Sequence, residues 1–274
     1  MSALLCEQPF IASVAEPEGR SASIGVIVIG MGMADVRVTK RLAKLGFLAV
    51  QMRLIRDTAH HRDVQRRFAT YDTSGVARCR QAMDILSASH GVTQFIFMGN
   101  CALANISFNT ALVDPRVVGL ILTNPYVSKR LTSGLMFKLR WHLLRRRSWL
   151  QLLRGKMNLH PAMQAFTGDG RPPELEGTAP PDLKQDIMLP LDFDRRLDSL
   201  LQGRRIPALL VFSENEASLE YFRRFYRKTL RGLVATGCLR FEVIDTQVHD
   251  FSAGDDSALR LNNIVADWVG TTWA

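Results

Sequence analysis

The strongest constraint on the fold is a repeated alternation. Short runs rich in β-branched and apolar residues are each followed by a segment of helical periodicity. Residues 23–29 (SIGVIVI), 47–54 (FLAVQMRL), 92–98 (VTQFIFM) and 117–123 (VVGLILT) form four such runs. Between them, residues 36–45, 73–89 and 102–112 place apolar side chains three and four apart, as in Val76, Cys79, Ala82, Met83 and Leu86. A strand that is apolar on both sides fits a sheet covered on both faces, which is the environment of parallel strands joined by helices. An α/β fold with a mostly parallel sheet is predicted. The alternation lapses after Pro125 and resumes with a strand over 207–212, a helix over 219–233, a strand over 238–244 and a helix over 258–269. Residues 127–205 therefore read as an insertion lying over the carboxyl edge of the sheet, and 1–126 with 206–274 as the core.

Composition excludes several function classes. The 274 residues are 47% hydrophobic and 22% charged, an ordinary globular balance. The longest apolar stretch, 26–34, is far short of the roughly 18 residues that propose a membrane span. Residues 1–10 lack a basic region followed by an apolar core, so a cytosolic address is expected. The four cysteines show no CxxC or metal-ligand spacing. The pair His60-His61 and the isolated His160 read as solvated loop residues, so neither metal nor cofactor is expected. The net charge of +9 resides in residues 129–160, and the remainder carries 26 basic against 26 acidic groups. No helix-turn-helix, RNP or zinc spacing accompanies it, so a nucleic-acid partner is not expected. A helical wheel of 134–154 puts Arg146 near Leu135, Leu139 and Leu150, which breaks any polar face and disfavours one interfacial helix. Arg145, Arg146 and Arg147 read either as a solvated face or as a cationic rim that attracts an acidic or carrier-bound substrate.

The predicted strand 92–98 empties through Gly99-Asn100-Cys101-Ala102-Leu103 directly into a helix. A nucleophile on such a turn is exposed, with backbone N–H groups and the positive end of the helix dipole beside it. A cysteine suits the place, since a thiol is partly thiolate near neutral pH and a helix N-terminus or a nearby imidazole raises that fraction. A cysteine in an α/β core is more often a small buried apolar residue. Cys79 and Cys238 are assigned to that class, and the position of Cys101 sets it apart.

With this turn the chain resembles the α/β-hydrolase superfamily, whose elbow is glycine-x-nucleophile-x-glycine. Gly99-Asn100-Cys101, the run from Asp114 to Val127 (DPRVVGLILTNPYV) and the basic segment ending Leu152-Leu153-Arg154-Gly155 are similar to the exosortase-A-system-associated hydrolases of type 1, a cysteine-elbow branch. The similarity runs from about residue 24 to the end and is weakest in the insertion. It implies an α/β-hydrolase fold with a lid, and a triad in the order nucleophile, acid, histidine. Cys101 then takes the nucleophile position, Glu216 in Ser213-Glu214-Asn215-Glu216 the acid position with Glu214 as alternative, and His249 in Val248-His249-Asp250 the base position. Glu216 also reads as a cap for the helix that follows it. The oxyanion would be held by the N–H groups of Ala102 and Met31.

Two departures from the family pattern stand out. Leu103 replaces the second elbow glycine, for which a wider helix-to-sheet spacing or a less strained turn is expected. The loop Gly30-Met31-Gly32-Met33 has no His-Gly pair, and its methionines would narrow the oxyanion region. The implied chemistry is hydrolysis of an ester or thioester through an acyl-Cys101 intermediate. The same intermediate passed to an alcohol or amine would make an acyltransferase, and the two departures fit a non-catalytic binding protein.

Overall fold

The computed structural model describes residues 4–5, 10–17, 22–30, 33–54, 73–125, 193–214, 216–246, 251 and 256–273. Strands β1 (Leu4–Leu5), β2 (Phe10–Ala15), β3 (Ile24–Ile29), β4 (Leu48–Leu54), β5 (Gln94–Asn100), β6 (Val117–Thr123), β7 (Ala208–Ser213) and β8 (Leu239–Ile244) form one sheet in the order β1-β2-β4-β3-β5-β6-β7-β8. From β4 to β8 every pairing is parallel. The antiparallel β1 and β2 were not foreseen, because within β2 Ala12 and Val14 turn inward while Ser13 faces out, which is not the two-sided apolar pattern of a central parallel strand.

Alternation of side chains sends each strand's residues to two cores. Ile27, Ile29, Phe95, Phe97, Leu120, Leu122, Leu210 and Phe212 pack with α2 (Thr73–His90), α3 (Ala102–Val113), α5 (Ala217–Phe225) and α6 (Arg227–Ala235). Val26, Val28, Ile96, Met98, Ile121, Leu209 and Val211 pack with α1 (Met33–Lys44) and α7 (Asp256–Trp273). The doubly covered parallel sheet predicted from sequence is thus observed. The helix expected over 219–233 is two helices, broken at the buried Tyr226. No helix among the described residues is long and apolar enough to cross a membrane.

Most of the 127–205 insertion, including Arg145, Arg146 and Arg147, lies outside the described residues. Its last part does not stand apart from the sheet. In α4 (Phe193–Asp198) and the π-helical turn Ser199–Gly203, the side chains of Leu197, Leu200 and Leu201 are buried in the same cluster as Leu210 and Phe212. These three leucines of the predicted insertion thus pack with the sheet's core. Arg204 fixes this joint, its guanidinium donating to the carbonyls of Ala111, of Asp114 (3.2 Å) and of Val117 (3.4 Å). Those carbonyls lie at and just beyond the C-terminus of α3, where a cation also complements the helix dipole.

Asp114 anchors the same turn. It accepts from the Arg116 guanidinium at 2.8 and 3.0 Å and from the Arg116 backbone N–H at 3.0 Å, with Arg80 at 3.4 Å. Burial alone would raise the Asp114 carboxyl. The hydrogen bonds and charge of Arg116, together with Arg80, outweigh it and hold the group below its ordinary value. Because the folded-state pKa is the lower one, the stabilisation is present above the unfolded carboxylate pKa and is lost as pH falls through the folded value. We expect Asp114→Asn to cost about 1–3 kcal/mol at pH 7. In urea titrations the gap between wild type and variant should shrink below about pH 4. A gap that stays constant down to pH 2 would contradict this assignment.

Candidate active site

The strand order places the site. The chain leaves β3 for β4 on one side, then crosses back to form β5 on the other, so the direction of winding reverses between β3 and β5. Crevices for ligands open at such reversals, beyond the carboxyl ends of the strands. Ile29 lies beside Gly99 in register, so the loop leaving β3 at Gly30 and the turn leaving β5 at Cys101 are neighbours.

Cys101 occupies a backbone conformation that L-residues rarely adopt, with φ +54° and ψ −118°. Such geometry stores roughly 1–3 kcal/mol and persists only where surrounding contacts impose it. Two contacts impose it here. The Cys101 N–H donates to the Thr123 carbonyl of β6 at 2.9 Å, and α3 starts at the next residue. The helix then passes so close to β5 that a Cβ at Gly99 would lie 2.6 Å from the Leu103 carbonyl carbon and 2.7 Å from Ser107 Oγ. The Cys101 side chain is half-buried. The N–H of Ala102, first residue of α3, is one of those that a helix leaves without an intrahelical acceptor.

The effect expected of Leu103 is not found, since the turn is strained and the helix is close. The backbone of residue 103, not its side chain, faces Gly99, and the leucine side chain packs partly buried against the apolar cluster. Close approach is therefore set by Gly99.

The β3 loop is tied in at its first residue, with Gly30 N–H donating to Met52 O at 3.1 Å. The Asp35 carboxylate in the first turn of α1 fills the space where a Gly30 side chain would be, its Cγ only 2.6 Å from that position. Met31 lies outside the described residues.

The acid turn follows β7, at the same edge as Cys101 with β6 between, which at ordinary strand spacing is about 10 Å away. Glu214 is exposed, and its N–H donates to Ile244 O at 2.9 Å, continuing the ladder to β8. Glu216 is half-buried and precedes α5 as its N-cap residue, yet its side chain makes no capping hydrogen bond. His249 lies outside the described residues, between two buried anchors: Thr246 just past β8, and Phe251, fully buried at φ +50°.

A buried polar network spans the edge from the nucleophile turn to the acid turn. The Thr123 hydroxyl donates toward Gly99 O (3.2 Å) and Asn100 Oδ1 (3.1 Å). Next in sequence, Asn124 sits at φ +43° and clasps Ser213, donating from Nδ2 to Ser213 Oγ and accepting the Ser213 N–H at Oδ1, both at 2.8 Å. The Ser213 carbonyl in turn accepts the Glu216 N–H at 3.2 Å. None of Asp35, Thr123, Asn124 or Ser213 was singled out from sequence as a site residue. Asn124 carried a signal, being an asparagine between an apolar strand and Pro125, and asparagine is among the few side chains that tolerate the left-handed region.

No family model matches the sequence, and no curated protein is similar to it. Solved structures are similar in fold. VinJ superposes with a TM-score of 0.56 at 13% identity, over 99% of this chain and 98% of that one. Dienelactone hydrolase from Anabaena variabilis gives 0.54 at 12% identity, over 98% and 94%. An alpha-beta serine hydrolase homologue from Coxiella burnetii gives 0.53 at 14% identity, over 98% and 97%. The chain has the α/β-hydrolase fold.

Strain at the elbow has a measurable signature. Cys101→Ala keeps a side chain at φ +54°, whereas Cys101→Gly releases the restriction. We expect the glycine variant to be more stable than the alanine variant by about 1 kcal/mol in thermal or urea denaturation. Elsewhere a glycine is usually the less stable of the two. An alanine variant that equals or exceeds the glycine variant would show that the turn is relaxed.

Proposed function

We propose that the chain is a cysteine-nucleophile hydrolase of carboxylic esters or thioesters, with Cys101 as nucleophile, His249 as general base and acid, and Glu216 orienting the imidazole. The strained turn at Cys101 carries this reading, because it presents a thiol at the head of a helix in the switch-point crevice. The place of Glu216, in the turn after β7 at the same sheet edge as Cys101, supports the choice of acid. The fold's likeness to proteins described as a dienelactone hydrolase and a serine hydrolase homologue agrees with acyl chemistry, although cysteine stands at this elbow.

In the proposed reaction the Cys101 proton passes to His249 and the sulfur adds to the substrate carbonyl carbon. The developing oxyanion accepts from the N–H groups of Ala102 and Met31. Collapse expels the alcohol or thiol, which takes the proton from His249 and leaves acyl-Cys101. Water then gives a proton to His249, its oxygen attacks the thioester, and the acid departs as the thiol is restored. Thioesters resist water better than amines, so product analysis with added alcohol or amine acceptors distinguishes hydrolysis from acyl transfer. A free-thiol nucleophile fits a reducing compartment such as the cytosol. We further propose that residues 127–205 form a lid whose Arg145, Arg146 and Arg147 line a cationic rim for an acidic or carrier-bound substrate. Removing these charges should slow capture of such a substrate and weaken its salt dependence, with a small neutral ester unaffected.

Nitrophenyl esters and acyl thioesters of graded length provide the test. Cys101→Ala and His249→Ala should each remove nearly all turnover, and the double variant should lose little more, because residues acting as a unit are strongly non-additive. Glu216→Gln should lose less, and Glu214→Gln almost nothing. Intact mass should show an acyl adduct in wild type and none in Cys101→Ala. Full activity in Cys101→Ala would end the proposal, whereas a large loss in Glu214→Gln with none in Glu216→Gln would move the acid role to Glu214.

A further inference from the structure

Away from the crevice, a groove of about 680 Å³ runs between α6 and β8, the last strand of the sheet. Leu230, Val234 and Phe241 give it an apolar floor, and Arg223, Arg227 and Arg231 rim it. Arg227 and Arg231 stand one helical turn apart and share a face of α6 with Leu230 and Val234, while Arg223 reaches the groove from the last turn of α5. Arg223 pairs with Glu220 at 3.2 Å, while Arg227 and Arg231 have no carboxylate partner among the described residues. Val234 remains 46% exposed although it is a large apolar residue in the groove.

We propose that this groove docks an acidic amphipathic helix of a partner protein. The Cβ atoms of Arg227 and Arg231, one turn apart, have a spacing of roughly 6 Å, and acidic residues on successive turns of a facing helix have the same repeat. A single-headed amphiphile would engage one of the two arginines on α6 and leave the other unanswered. Phe241 has its ring packed 5.5 Å from that of Phe212 instead of forming an open stacking surface for nucleic-acid bases. A helix with leucines on one face and carboxylates along its border satisfies floor and rim together, which is the helix-in-groove mode of recognition.

The test uses the full chain and a fluorescein-labelled amphipathic peptide of four turns, with glutamate on successive turns and leucine along the opposite face. A scrambled peptide of the same composition is the control. The ordered peptide should bind at least tenfold more tightly than the scramble. Arg227→Glu, Arg231→Glu and Val234→Asp should each weaken it at least tenfold, with thermal midpoint and turnover of a small ester unchanged. Arg231→Lys, which keeps the charge, should retain most of the binding. Equal affinity for the scramble, or wild-type affinity in both charge reversals, would overturn the proposal. It would equally be overturned if a single-stranded oligonucleotide or phosphatidylglycerol vesicles bound more tightly in an Arg231-dependent way. Sedimentation showing a wild-type dimer that Arg231→Glu dissociates would assign the groove to a second copy of the chain and reject the proposed partner.

Discussion

The rest of the site depends on the contact between β5 and α3 at Gly99. With no side chain there, the helix can begin one residue after Cys101 and still pass against the strand. A helix starting so close leaves no residues for a relaxed connection, and Cys101 must absorb the change of direction at φ +54°. The strain is local, whereas the forces that hold it are distributed. Phe95 and Phe97 on one side of β5, and Ile96 and Met98 on the other, are fully or almost fully buried. Two cores therefore resist any movement of the strand that would relieve the turn.

The neighbouring strands carry this rigidity sideways. β6 contributes the carbonyl that receives the Cys101 N–H and, one residue later, the asparagine that clasps β7. Each bond is ordinary in strength, but all are buried, and an unmade partner in such a place costs more than the bond itself contributes. The proposed nucleophile and the proposed acid lie on turns tied to the same two consecutive residues, Thr123 and Asn124. Their separation is a property of the sheet more than of either loop.

The fold was legible because its signal is redundant. Repeated apolar strands and the helices between them together demand a doubly covered sheet, and an error at one boundary leaves the others intact. β1 and β2 were missed because a two-residue strand and a short strand with Ser13 turned outward lack that signature. The break at Tyr226 was missed because a buried tyrosine in an amphipathic run looks helical from sequence. At the site, the position of Cys101 could be read because an elbow is contiguous in sequence. The inference about Leu103 failed for a related reason, since a motif assigns spacing to a residue type while the structure assigns it to whichever backbone atom faces the strand. The Asn124–Ser213 clasp joins residues 89 apart and leaves almost no local trace.

Charge illustrates the same difference between sequence and space. Counted along the chain, the excess of +9 falls within residues 129–160 and the rest is neutral. Counted on the surface, neutrality breaks up, because acidic residues such as Asp84 and Asp114 are gathered around Arg80 and Arg116, far along the chain from α6. Arg227 and Arg231 are left facing solvent beside apolar side chains. Screening limits the reach of an exposed charge to about 8–10 Å at ordinary ionic strength. An acid that balances an arginine in the total does not neutralise it from beyond that distance. A sequence that is neutral outside one segment therefore still presents a cationic groove, and its field is set by helical periodicity, not by net charge.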